Sequence, residues 1–181
     1  ESNPNARYLS SGRFEAVLSY ALTFLGWEYV WGGKSPSTSF DCSGLVAHVY
    51  GHVLGANIYT NAAGIYSSGC SYVSPSDARP GDLVFWYGTY GTNLSAITHV
   101  GIYCGDDIVY AAGDPIGFYS IHASKNVLGQ PAAYIFGRVS GVDNGSVATA
   151  APIASKYSLV FDNGFYCAYN SSVAGYMDDA S

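Results

Sequence analysis

Between Arg13 and Leu25 the apolar side chains fall at Phe14, Val17, Leu18, Ala21, Leu22 and Leu25. That spacing lines one face of an α-helix, so a helix is predicted over 13–25, with Gly26 as its stop. A short aromatic stretch follows, Trp27-Glu28-Tyr29-Val30-Trp31, closed by Gly32-Gly33, and 34–40 is loop by composition. The next helix signal opens at Asp41, whose carboxylate can cap the free N–H groups of a first turn. Leu45, Val46, Val49 and Val53 supply the buried face behind it. Residues 55–80 keep no period and read as irregular, ending in Arg79-Pro80-Gly81. Beyond them the period shortens. Asp82 to Trp86, His99 to Cys104, Ile108 to Ala111, Gly117 to Ile121 and Ile135 to Val139 are short β-rich runs separated by Gly, Asn and Asp, as in an antiparallel meander. Helices first and a sheet after them predict an α+β fold.

The chain divides by composition into a polar arm at 1–11, one domain over 12–140, a linker of small residues at 141–155, and an aromatic extension at 156–181. The extension is too short for a domain and is expected to be the start of a repeat module. With 181 residues, 49% hydrophobic and 11% charged, the chain can bury one core and is not a disordered segment. Its apolar runs are too short to span a bilayer. No charged-then-apolar leader opens the chain, so secretion is expected to rely on a signal no longer attached. The net charge is −6, and the 7 basic residues are scattered, so nucleic acid is excluded as a partner class. The 17 Tyr and 3 Trp offer broad faces with polar edges, which suit peptide and sugar surfaces.

Four cysteines, Cys42, Cys70, Cys104 and Cys167, contain no CxxC pair, so a zinc ribbon is not expected. Cys70, Cys104 and Cys167 could supply one bridge in an oxidising compartment. Cys42 stands apart because it follows the cap at Asp41. The first turn of a helix carries unpaired N–H groups and a positive dipole end, and both favour a thiolate. Gly44 is expected to leave space there for a substrate backbone. The Asp41 carboxylate would oppose ionisation unless backbone N–H groups or a cationic substrate group engage it. A base must reach the thiol. His48 lies six residues along the same helix, about nine Å of rise away, and His52 is further. The two share a helix face but no third ligand accompanies them, so no metal site is predicted. His99, opening a strand, can lie beside the helix start.

Four segments then come together: Tyr29-Val30-Trp31-Gly32-Gly33, Asp41-Cys42-Ser43-Gly44-Leu45-Val46, Arg79-Pro80-Gly81-Asp82-Leu83-Val84-Phe85 and His99-Val100-Gly101-Ile102-Tyr103. In this order they resemble the motifs of the NlpC/P60 peptidases, across about residues 13–139. The resemblance implies a papain-like fold, with N-terminal helices packed on an antiparallel sheet. It implies hydrolysis of peptidoglycan stem peptides, commonly between γ-D-glutamyl and a diamino acid, by a protein secreted or held at the cell wall. By position, Cys42 is the nucleophile and His99 the base and later the acid. Tyr29 helps hold the oxyanion, and Asp41 and Ser43 meet the free amino end of the substrate. No cofactor is implied, and a monomer is expected.

The family usually adds a polar residue about a dozen positions after the base, to fix the imidazole tautomer. Here that stretch reads Ile108-Val109-Tyr110-Ala111-Ala112-Gly113-Asp114. Allowing a one-residue deletion, Tyr110 takes the position and is the first candidate; without it Ala111 does, and Asp114 comes late. Trp31 is expected at the cleft floor in contact with substrate. Trp86, Tyr87 and Tyr90 are expected to rim the groove along a flap at 86–98. A rival reading keeps the fold without catalysis, as a wall-binding or adhesion module. The piece from Val160 to Tyr176 faintly resembles the Phe-Asp/Tyr/Asn repeats that follow secreted wall enzymes.

Overall fold

The computed structural model describes residues 14–139, together with the backbone of two strands at 159–162 and 165–168. The arm at 1–11 and the linker at 141–155 lie outside the described residues.

Helix α1 (Phe14–Ala21) buries Phe14, Val17, Leu18 and Ala21, the face its spacing marks. A single 3-10 turn continues it over Leu22–Phe24, and Gly26 turns the chain at φ 84°, a conformation that favours glycine. The Gly26 N–H donates to the Ile116 carbonyl and the Ile116 N–H to the Trp27 carbonyl, both at 2.8 Å, which fastens this corner to the sheet. The aromatic stretch makes only an isolated bridge, Tyr29 with Phe40. A small hairpin, β1 (Lys34–Ser35) with β2 (Ser39–Phe40), leads into helix α2 (Cys42–Leu54). Gly55, left-handed at φ 70°, ends that helix.

Residues 55–80 are more ordered than their pattern suggests. They hold helix α3 (Ala62–Gly69) and strand β3 (Cys70–Val73). The helix buries only Ala62 and Ile65, too few apolar anchors to show a period, but Asn61 caps it by accepting from the Gly64 N–H at 2.8 Å.

Five further strands follow: β4 (Leu83–Tyr87), β5 (Ile97–Gly105), β6 (Ile108–Ala112), β7 (Ile116–Ser120) and β8 (Tyr134–Val139). With β9 (Leu159–Asp162) and β10 (Phe165–Ala168) they form an eight-stranded antiparallel sheet in the order β3-β8-β4-β5-β6-β7-β10-β9. Strand β10 pairs with β7, so the two described strands of the extension continue this sheet. Alternation sorts the side chains onto its two faces. Phe85, Val100, Ile102, Cys104 and Tyr110 pack with the helices, while Val84, Trp86, Val109, Ile121 and Phe136 form a second cluster opposite.

Asp82 explains the Arg-Pro-Gly-Asp run. It is fully buried, and its carboxylate accepts from Arg138 at 2.7 and 2.9 Å and from the Arg79 N–H at 2.8 Å, which ties the entry of β4 to β8. The architecture is α+β, with helices on one face of an antiparallel sheet, and no described helix is long and apolar enough to cross a membrane.

Candidate active site

The Asp41 side chain caps α2, its Oδ1 accepting from the Gly44 N–H at 2.7 Å and from the Ser43 hydroxyl at 3.2 Å. Its Oδ2 accepts from the Gly32 N–H at 3.1 Å, and its own N–H donates to the Gly33 carbonyl at 2.9 Å. The carboxylate is therefore committed to backbone N–H groups, as its place beside the thiol requires. These bonds join the Tyr-Val-Trp-Gly-Gly loop to the helix start.

Gly44 serves this junction too, and here the expectation of open space for a substrate backbone fails. A Cβ on Gly44 would lie 2.1 Å from the Gly33 carbonyl oxygen, so the loop itself fills that space.

Cys42 opens the helix and is buried, with its sulfur in reach of the Val100 N–H and of the N–H groups of Ser43 and Cys42. Val100 follows His99 directly. The pairing of β5 with β6 runs from Ile102↔Tyr110 toward the hairpin and does not extend to Val100, which leaves that N–H for the thiol. Burial pushes the Cys42 thiol up to about 11; the Val100 amide lowers it, the Asp41 charge raises it, and desolvation wins. Tyr29 stands beside both Cys42 and Asp41, and burial and those two neighbours push its hydroxyl up. Tyr29, Asp41, Cys42, Ser43 and the His99–Val100 peptide thus meet at one place.

His99 is half-buried on the sheet face opposite the helices, against Trp86, with ring centroids 4.9 Å apart and planes 32° from parallel. Desolvation alone pushes its imidazole down to about 4. His48, excluded on reach, instead meets the Tyr20 hydroxyl at 2.7 Å. Cys70 and Cys104 are free thiols; the side chain of Cys167 lies outside the described residues.

Three expectations need correction. Tyr110 does not orient His99: it faces the helices, fully buried against Phe118, and its hydroxyl donates to the Ala21 carbonyl at 2.5 Å. Strand alternation puts Ala111 on the face of His99 instead, where a cavity of about 260 Å³ is lined by His99, Trp86, Ala111, Gly113 and Ser124. Trp31 is not at the cleft floor but 71% exposed, edge to face with Tyr90 at 5.3 Å. Trp86 is not on the rim but fully buried, its indole N–H donating to the Ile121 carbonyl at 3.0 Å. Tyr90 is half exposed on the 86–98 segment, against Trp31.

Tyr110→Phe is accordingly expected to lower the unfolding free energy by about 1–2 kcal/mol, since it strands a buried carbonyl. Denaturant titration checks the loss, and the alkylation rate of Cys42 should not change.

That Trp86 lies buried against His99 did not show in the sequence pattern, although Gly101 carries a trace of it. A Cβ on Gly101 would lie 3.0 Å from the Ala111 Cβ and 3.3 Å from the Trp86 ring, so the glycine of His-Val-Gly-Ile-Tyr makes room for the indole.

The NlpC/P60 family profile matches residues 26–126, more than half of the chain. A probable endopeptidase p60 of Listeria grayi is 40% identical over 123 residues, 67% of this chain and 22% of that protein. The bifunctional muramidase/DL-endopeptidase CwlT of Bacillus subtilis is 40% identical over 101 residues, 56% of this chain and 30% of its own length. The chain thus spans less than a third of either relative. Among solved structures, an NLP/P60-family protein from Staphylococcus aureus, described as similar to a lipoprotein, superposes with a TM-score of 0.60 at 35% identity, over 70% of this chain and 41% of that one. With the profile matching more than half of its length, and three of its four motifs meeting at the start of α2, the chain belongs to the NlpC/P60 family.

Proposed function

We propose that the protein is a cysteine peptidase that cleaves amide bonds in peptidoglycan stem peptides, between γ-D-glutamyl and a diamino acid, outside the cytoplasm. The observation that carries this reading is the seat of Cys42: first residue of a capped helix, with its sulfur at the peptide N–H next to His99. Relatives named as endopeptidases, one of them a DL-endopeptidase, support the choice of bond.

In this mechanism the Cys42 sulfur attacks the scissile carbonyl carbon as its proton passes to His99. The oxyanion lies against the Cys42 N–H in the first helical turn and the Tyr29 hydroxyl. His99 then gives the proton to the departing amine as the C–N bond breaks, leaving a thioester. Water, relieved of a proton by His99, releases the acid. The Asp41 carboxylate, accepting from Gly32, Ser43 and Gly44, draws the free amino end of the substrate. Trp31, with Tyr90, offers an exposed aromatic wall to the stem peptide.

The test is a digest of purified sacculi followed by mass spectrometry. Wild type should release peptides with new γ-D-glutamyl carboxyl ends, and Cys42→Ala should release none. Release at the sugar–peptide junction instead would overturn the choice of bond. A second reading, a wall-binding module without catalysis, draws support from alanine at position 111 and from a thiol raised by burial. Under it, wild type binds sacculi but releases nothing.

A further inference from the structure

In the proposed mechanism His99 must keep one ring nitrogen toward the thiol, and a ring free to rotate would lose that alignment. The usual device is a polar side chain on the adjacent strand. Here that strand offers Val109 and Ala111 to the His99 face, and Tyr110 turns the other way. No side chain among the described residues hydrogen-bonds to His99. What touches the imidazole is Trp86, its cross-strand partner in the β4–β5 register.

That indole is a rigid support. It is fully buried, its N–H is held by the Ile121 carbonyl at 3.0 Å, and its six-membered ring lies across Gly101, where any Cβ would crowd it. An aromatic face within about 6 Å of a cation attracts it, so the same ring that sets the imidazole plane also favours the imidazolium formed when the thiol proton arrives. No ionisable side chain of β4 or β6 faces His99; Tyr119, across the cavity, donates its hydroxyl to the Pro115 carbonyl.

We propose that Trp86 is the positioning residue of His99, doing by a tilted ring-to-ring contact what a polar third residue does by hydrogen bonding, with Ala111 marking the position that residue would hold. The inference rests on the Cys42–His99 reading, and two readouts separate their failures. The first is the pH profile of Cys42 alkylation by iodoacetamide, followed by mass spectrometry of the Cys42 peptide, which needs no substrate. The second is kcat and KM for release of a defined muropeptide.

In the full chain, Trp86→Leu should lower kcat and slow alkylation at pH 7 by about tenfold, the loss of a supported cation, with KM little changed. Ala111→Asn added to Trp86→Leu should recover much of both, because an amide in that cavity can bond the ring. Ala111→Asn alone should leave both rates within about twofold of wild type, since the ring is already held. A folded Trp86→Leu with an unchanged profile overturns the proposal. So does a gain of tenfold or more from Ala111→Asn alone, a measurement that stands even if Trp86→Leu does not fold. If His99→Ala leaves the alkylation profile of Cys42 unaltered, the Cys42–His99 reading itself has failed.

Discussion

Peptide release is expected to fall by about four orders of magnitude or more in Cys42→Ala and in His99→Ala, and no further in the double variant. In the proposed mechanism the two side chains perform one proton-coupled attack, so removing either removes the step. The thiol is pushed up to about 11 and the imidazole down to about 4, so between those values the resting pair is neutral. The sulfur therefore depends on His99 at the moment of attack and not on a stored thiolate. Two signs follow for wild type. The rate falls as pH drops through about 4, because a protonated His99 accepts nothing. It also falls as pH climbs through about 11, where the thiol has lost the proton that His99 must pass to the amine. In His99→Ala, alkylation of Cys42 should rise only as pH approaches about 11, as for an unassisted buried thiol. Folding stability carries its own sign. The unfolded imidazole titrates at 6.5 and the folded one at about 4, so stability is fully present above 6.5 and is lost as pH falls toward 4. His99→Ala should lose less stability than wild type over that interval. A double variant far slower than either single one would mean that the residues act separately, and would sink the pairing.

The parts of the fold legible from sequence were those whose periods are local. Helix α1 showed itself through Phe14, Val17, Leu18 and Ala21, and helix α2 through a cap and the apolar residues behind it. Helix α3 did not, because its packing rests on Ala62 and Ile65 while the rest of it is Gly, Ser and Tyr. The seat of Cys42 at the start of a capped helix was legible for a related reason: helix capping is a matter of adjacent residues, and Asp41 and Cys42 are adjacent.

The surroundings of His99 were not legible, because they depend on which face of a strand each residue takes. Alternation from His99 and Val100 through the β5–β6 register decides that Ala111, and not Tyr110, shares its face. A one-residue ambiguity in the hairpin at Asp106-Asp107, both with positive φ, is enough to exchange the two. Trp31 was misjudged in a similar way. Its place between Val30 and two glycines leads to the expectation of a cleft floor, but the turn at Gly32, φ 77°, lets the ring stand out toward Tyr90.

Gly44→Ala is expected to be the most destabilising single methyl that can be added near the site. Glycine inside a helix ordinarily costs about 1 kcal/mol relative to alanine, so propensity alone predicts a gain. The contact predicts the reverse. The new Cβ would sit 2.1 Å from the Gly33 carbonyl oxygen and 2.9 Å from the Asp41 carboxylate. Neither can withdraw at low cost. The Gly33 carbonyl accepts the Asp41 N–H, a Cβ on Gly33 would itself lie 2.4 Å from the Ser39 carbonyl oxygen, and Asp41 is spent capping the helix. Nor can the helix slide away, since Leu45, Val46 and Val49 behind it are fully buried. Overpacking of this kind costs about 3 kcal/mol or more against the gain of about 1, and a net loss of that order lowers Tm by roughly 6–12 °C for a domain of this size. Calorimetry of Gly44→Ala beside Gly55→Ala gives the comparison. Gly55 has open space around it and only its left-handed φ of 70° to defend, so alanine there should cost about 1 kcal/mol. If Gly44→Ala melted at or above the wild-type temperature, the interlock between the Gly-Gly loop and the helix start would be wrong, and with it the reason the Asp-Cys-Ser-Gly sequence holds the thiol where it does.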